Sequence, residues 1–282
     1  KVRGMHCPAC ERLVADTLVE EGLARSASAS LARREVDVEM ADRAAELGPV
    51  DGDGAWLQRA RAALAPLGYR HLRWAGHGLP AGSGWQFVDE ECMKPEEYDE
   101  FIYDPSDFIV RKYWPRAYSR LAGLAGLLPL REAQGYFAGP SAFFAFGTPE
   151  GQEALEALKE AGAAAFGNTM ALIGHGKRMA EAGFPLSWTS TAQPPFDLVG
   201  DFLRGRKGVM LDMFRCPEKL EAAVEKMLPM ALETGIRGAR MSGNPRVFIA
   251  IHGGVEGFMS LDQYKRFYWP TLQQLLVGLS EA

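Results

Sequence analysis

The spacing of apolar and polar positions changes several times along the chain, and each change marks a new element. Val2 and Met5 close a first short strand, and Cys10 to Glu21 places Leu13, Val14, Thr17 and Leu18 on one helical face. Strict alternation follows. Ala27, Ala29 and Leu31, then Val36, Val38 and Met40, predict two strands on either side of a turn near Arg33 and Arg34. A second helix over Ala55 to Leu67 turns Trp56, Leu57, Ala60 and Leu64 inward; Gly68 ends it, and Tyr69 to Trp74 reads as a closing strand. Strand, helix, strand, strand, helix, strand is the ferredoxin-like βαββαβ order.

Beyond Trp74 the periodicity stops. Gly76-His77-Gly78-Leu79-Pro80-Ala81-Gly82-Ser83-Gly84 reads as an ordered, glycine-dense loop, which sets a domain boundary near residue 75 and gives domains 1–75 and 76–282. Helices are then expected over Pro95 to Phe101, from Pro105 with Phe108, Ile109, Tyr113 and Trp114, and over Pro149 to Ala165 with Leu155, Leu158, Ala161 and Ala165 inward. Two more run over Pro195 to Leu203 and Pro217 to Thr234, the latter with Leu220, Val224, Met227, Leu228 and Ala231 at helical spacing. Between them, Gly135 to Ala138, Gly208 to Leu211 and Val247 to Ile251 read as buried parallel strands. The alternation predicts an α/β architecture, which a (β/α) barrel fits as well as an open sheet. Chemistry in a barrel sits in the loops after its strands. Asp212 with Arg215, and His252-Gly253-Gly254 with Glu256, hold those positions, where a helix cap or loop brace is the plainer role.

With 282 residues the chain has length for two domains, and its formal net charge of −5 argues against nucleic acid as a general partner. Four cysteines do not make a disulfide framework, so a reducing, cytoplasmic setting is expected. No run of eighteen apolar residues is present to span a membrane. The chain opens on Lys1 inside an expected strand and ends just past a helix, which reads as a fragment of a longer protein.

Chemistry is most legible in Gly4-Met5-His6-Cys7-Pro8-Ala9-Cys10. Cys7 and Cys10, three apart where a strand gives way to a helix, bring both sulfurs to one side of the first turn, and the helix N-terminus favours thiolate. Two thiolates without a near third suit Cu(I) or another soft ion better than structural zinc. A thioredoxin-like redox pair and a pair of inert thiols are the alternatives. Val2 to Cys10 with Gly68-Tyr69 resembles the heavy-metal-associated domain of copper chaperones and copper-pumping ATPases. The resemblance implies Cys7 and Cys10 as metal ligands, Met5 as the residue beneath the loop and Tyr69 as the residue flanking the ion, with a metal-donor protein as a partner. Ala41 to Gly54 is longer than that family's connection.

A second resemblance covers residues 75–282. Gly76-His77-Gly78-Leu79-Pro80, Tyr98-Asp99, Asp104-Pro105-Ser106-Asp107-Phe108, Gly200-Asp201-Phe202-Leu203-Arg204-Gly205, Met210-Leu211-Asp212-Met213 and Phe267-Tyr268-Trp269-Pro270-Thr271 resemble the uroporphyrinogen decarboxylase superfamily, near its corrinoid-methyltransferase-like branch. It implies an incomplete (β/α)8 TIM-type barrel, homo-oligomeric when complete. In the full-length protein the activity would be that of a lyase, or of a methyltransferase using corrinoid or zinc and a corrinoid-protein partner, with residues 1–75 then structural or redox-active. His252 matches a family position, and His252, Asp212 and Arg204 are the expected site. Phe146 and Ile251 stand where decarboxylases have a tyrosine and a serine, and no His-x-Cys follows His252, so little or no turnover is expected of this chain alone. Cys92, in an acidic surface-like loop, and Cys216 read as ordinary residues, and Met227, Met230 and Met241 as core packing. Arg204-Gly205-Arg206-Lys207 reads as a solvated basic turn or a receiver of carboxylates. Gly174-His175-Gly176-Lys177-Arg178 lacks phosphate-loop spacing.

Overall fold

The computed structural model describes residues 24–30, 35–40, 61–76, 78–81, 83–133, 139–255 and 257–282. They are mostly helical, with small sheets. Two compact units are present, Lys1–Gln58 with Thr169–Leu186, and the larger Arg59–Asn168 with Ser187–Ala282.

In the smaller unit, β1 (Ala24–Ser30) pairs antiparallel with β2 (Glu35–Met40), Ala29 opposite Val36 and Ala27 opposite Val38. Alternation in the sequence located both strands. The rest of the expected βαββαβ pattern lies outside the described residues up to Ala60, including the strand at Val2 to Met5, the helix Cys10 to Glu21, and Cys7 and Cys10 themselves. Residues 61–67 are helical and end at Gly68, whose φ of +67° is the left-handed cap expected there.

In the larger unit, β3 (Leu72–Ala75) lies between β4 (Gly78–Leu79), parallel to it, and β5 (Trp85–Phe87), antiparallel to it. All three strands belong to the larger unit, which starts at Arg59. An acidic turn at Pro95–Glu97 leads into α1 (Tyr98–Tyr103). Asp104 then caps Pro105–Phe108, its Oδ1 accepting the Asp107 N–H at 3.1 Å, with Pro105 fixing the first helical φ.

Helix α2 (Pro149–Glu181) runs well past the expected Ala165 and includes Gly174 to Arg178. Its buried stripe is Gly151, Ala154, Ala157 and Ala161, whereas Leu155 is exposed and Leu158 only partly buried. Small residues face inward because the neighbouring backbone is close. A Cβ at Gly151 would meet the Ala145 carbonyl at 1.9 Å, and one at Gly123 would meet the Glu150 carbonyl at 2.3 Å. Of the expected stripe, Ala161 is buried and Leu158 packs on the core, whereas Leu155 and Ala165 face solvent.

The C-terminal half supplies the α/β element. β6 (Ser190–Ala192) is followed by α3 (Pro195–Leu198), a π-turn over Val199–Arg204, α4 (Gly205–Arg215), α5 (Pro217–Ser242) and β7 (Val247–Ile249). β6 and β7 are parallel neighbours, Ser190 opposite Val247 and Ala192 opposite Ile249, with the helices as their crossover. The expected strand at 247 is present, and the one at Gly135 to Ala138 lies outside the described residues. The expected strand at Gly208 to Leu211 is instead the middle of α4. Gly205, Val209, Asp212 and Met213 are buried at helical spacing, which the short apolar run Val209-Met210-Leu211 disguises. Asp212 thus stands on a helix, not after a strand. Among the described residues, parallel pairing is confined to β3–β4 and β6–β7.

α5 buries Leu220, Val224, Met227 and Ala231 as its periodicity predicts, with Leu228 partly buried. Met230 and Met241, expected in the core, are exposed. β6 lies directly against α5 because Gly235 and Gly238 lack side chains: the Ser190 hydroxyl donates to the Gly235 carbonyl at 2.8 Å, and a Cβ at Gly238 would stand 2.3 Å from Ser190 Oγ. Gly238→Ala is therefore expected to destabilise the protein by about 1–3 kcal/mol through overpacking, despite alanine's better helix propensity. Urea unfolding of the variant checks this. α6 (Trp269–Glu281) closes the unit, with Leu275 packed on Ala192 and Ala231.

Candidate functional site

The residues singled out in the sequence divide between two places. Arg204 and Asp212 are buried and bonded to each other, Arg204 Nε donating to Asp212 Oδ2 at 2.5 Å. Tyr98 donates its hydroxyl to the same oxygen at 2.9 Å, and Arg204 also donates to Glu91 and to the Met93 carbonyl. Burial and the adjacent Asp212 carboxylate hold the Tyr98 hydroxyl far above its ordinary range. Arg204 is thus not part of a solvated basic turn. Its hydrogen bonds tie Glu91 and Met93 to Asp212 of α4, on which Tyr98 of α1 also converges.

His252 is elsewhere, in the loop that follows β7. Its Nδ1 is 2.5 Å from Asp201 Oδ2, and the imidazole is half-exposed while Asp201 is buried. Facing a carboxylate, Nδ1 is the donor of this bond. The loop backbone is held by a second buried carboxylate. Asp197 Oδ2 accepts the His252 N–H at 2.9 Å and the Tyr268 hydroxyl at 2.7 Å, and its Oδ1 accepts the Gly253 N–H at 2.7 Å. Burial keeps the Asp197 carboxyl above its usual range against the pull of these three donors. Arg206 comes within 3.4 Å of Asp201 Oδ1 and lies over the Phe258 ring. Glu256 and His77 fall outside the described residues; Arg215 is exposed at the end of α4.

Asp197 was not named in the sequence, and Asp201 and Tyr268 stood only within motifs, with no role assigned to them. A signal was present in Phe196-Asp197-Leu198-Val199-Gly200-Asp201, where two aspartates four apart interrupt an apolar run. That spacing sets both on one helical face, and buried carboxylates need partners.

A third polar cluster surrounds Cys92, which is buried rather than surface-like. His71, also fully buried, has Nε2 3.2 Å from Cys92 Sγ, and Tyr69 stacks on the imidazole at 5.3 Å. Burial, with Glu90 nearby, pushes the thiol up to about 11. The His71 Nδ1 atom has no hydrogen-bond partner, and burial lowers the imidazole's affinity for a proton. A histidine whose folded pKa lies below its unfolded value of 6.5 binds protons more readily once unfolded. Its contribution to stability is complete above that pH and is lost as pH falls below it. His71→Phe is accordingly expected to flatten the loss of stability on acidification below about pH 6.5, read from urea midpoints across pH. Cys216 caps the start of α5, its thiol raised by burial and by Asp212.

Among the described residues, no group of three or more His, Cys, Asp or Glu side chains is arranged around a metal position, and no helix is long and apolar enough to cross a membrane. Comparison with protein-family models, curated proteins and solved structures gives no match.

Proposed function

We propose that the larger unit is part of a uroporphyrinogen-decarboxylase-like (β/α) barrel with an acid–base site, His252 transferring the proton and Asp201 orienting it. The observation that supports this reading is the 2.5 Å contact between His252 Nδ1 and buried Asp201, placed just after a strand of a parallel β-α-β unit. Nε2 takes a proton from substrate while Asp201 holds the Nδ1–H and offsets the charge of the imidazolium formed, then returns it. Arg204 and Asp212, their hydrogen bonds spent on the frame, fit a supporting role better than a catalytic one. Zinc of the methyltransferase kind does not fit here. It takes thiolate with imidazole, and the acidic neighbours of His252 are two carboxylates already engaged in hydrogen bonds.

The test is the proton NMR signal of the His252 Nδ1–H, assigned by its loss in His252→Gln. Asp201→Asn is expected to move that signal upfield, because the short bond to a carboxylate is lost. An unmoved signal would sink the reading. Should the protein turn over uroporphyrinogen, His252→Gln is expected to slow it about 10²–10⁴-fold.

For residues 1–75 we propose binding of Cu(I) or a similar soft ion through Cys7 and Cys10, in a heavy-metal-associated domain. The Gly4-Met5-His6-Cys7-Pro8-Ala9-Cys10 loop supports it. Titration of the whole chain with Cu(I) against a competing chelator, with Cys92 and Cys216 intact, is expected to show one site that Cys7→Ser/Cys10→Ser removes. Equal binding by that double variant, or a readily reducible Cys7–Cys10 disulfide without metal affinity, would favour a redox or structural module.

A further inference from the structure

Resting on the His252–Asp201 reading, we infer that Asp197 is a positioning residue of the same site, and that α3 with its π-turn acts as a two-carboxylate jig for the loop after β7. Asp197 and Asp201 are four residues apart and serve different atoms of one residue. Asp197 takes the main-chain N–H of His252, and Asp201 takes its side-chain Nδ1. Fixing both the backbone and the ring nitrogen leaves the imidazole little freedom to turn, so Nε2 is presented in one direction. The fit is tight on the loop side. A Cβ at Gly253 would stand 2.9 Å from Asp197 Oδ1 and 3.2 Å from the Phe196 ring, so only glycine lets this N–H reach the carboxylate. Tyr268, from the segment that leads into α6, completes the Asp197 hydrogen bonds through its hydroxyl. The π-turn at Val199–Arg204 carries both Asp201 and Arg204, and turns of this kind recur at functional sites.

The inference separates Asp197 from a residue that merely stabilises. Asparagine in its place puts an NH₂ against one of three donors, so the loop is released at one point while the fold is kept. In ¹⁵N-histidine-labelled whole chain, Asp197→Asn is expected to shift His252 from the single Nδ1–H tautomer to a mixture and to broaden its signals. Tyr268→Phe, which leaves both loop N–H bonds in place, is expected to lower thermal stability without changing the tautomer. Gly253→Ala forces the loop off Asp197 while keeping the carboxylate, and is expected to reproduce the Asp197→Asn spectrum; it decides the matter if Asp197→Asn does not fold. An unchanged tautomer in both Asp197→Asn and Gly253→Ala, whatever their stability, overturns the positioning role. Failure of Asp201→Asn to move the His252 Nδ1–H proton signal would instead overturn the dyad, so the two ideas fail separately.

Discussion

Asp212→Ala is expected to cost about 3–5 kcal/mol of folding stability, because it leaves the Arg204 guanidinium charged in a buried position with its main partner gone. Glu91, half-exposed at the rim, cannot replace the second oxygen that Arg204 uses. Tyr98 loses its acceptor in the same step, adding an unsatisfied buried hydroxyl. The magnitude comes from breaking the pair, not from the worth of the pair itself. A double variant, Arg204→Met/Asp212→Leu, is therefore expected to recover much of the loss. Guanidinium unfolding of the two single variants and the double one checks both statements. A loss below about 1 kcal/mol for Asp212→Ala would mean that water reaches Arg204 and that the framework role is wrong.

Phe196→Ala is expected to rank beside it, at about 3–5 kcal/mol, by the cavity left between Tyr268 and the loop after β7. Phe196 is 1% exposed and packs on Tyr268 with ring centres 5.4 Å apart and edge-on to Phe258 at 6.4 Å. The matching control is Phe144→Ala, where the ring is 78% exposed and the expected change lies within about 0.5 kcal/mol. Parallel urea titrations distinguish the two. Because Phe196 precedes Asp197, this variant should also broaden the His252 signals, coupling core packing to the site.

Periodicity carried the reading wherever burial followed side-chain character. Leu220, Val224, Met227 and Ala231 on α5, and the alternation that set Ala29 opposite Val36, needed only a hydrophobic face and the right period. It failed where backbones approach closely. On α2 the inward side is glycine and alanine, so Leu155 drew attention to a face that solvent covers. It failed again at α4, where a three-residue apolar run is equally a strand or a helix and the buried Asp212 broke the pattern that would have settled it. For the site, His252 was legible as a polar residue ending an apolar run. Asp197 and Asp201 were not, because their partners lie more than fifty residues away in sequence. Likewise, Asp89-Glu90-Glu91 hid the burial of Cys92, whose N–H donates to the Leu203 carbonyl at 2.8 Å. Local charge says little about a residue anchored from a distant turn.

The burial of Cys92 also gives the larger unit an internal clock. The thiol is 1% exposed, walled by Tyr69 and Tyr118, and its proton is held up to about pH 11, so an alkylating reagent meets a reactive thiolate only during the moments when this layer parts. Where reclosure outpaces alkylation, the labelling rate at Cys92 measures the fraction of time for which the Tyr69–Tyr118 stack is open. Mass spectrometry resolves that rate from those of the other cysteines. Motion around β3 can thus be followed in the native protein without adding a probe.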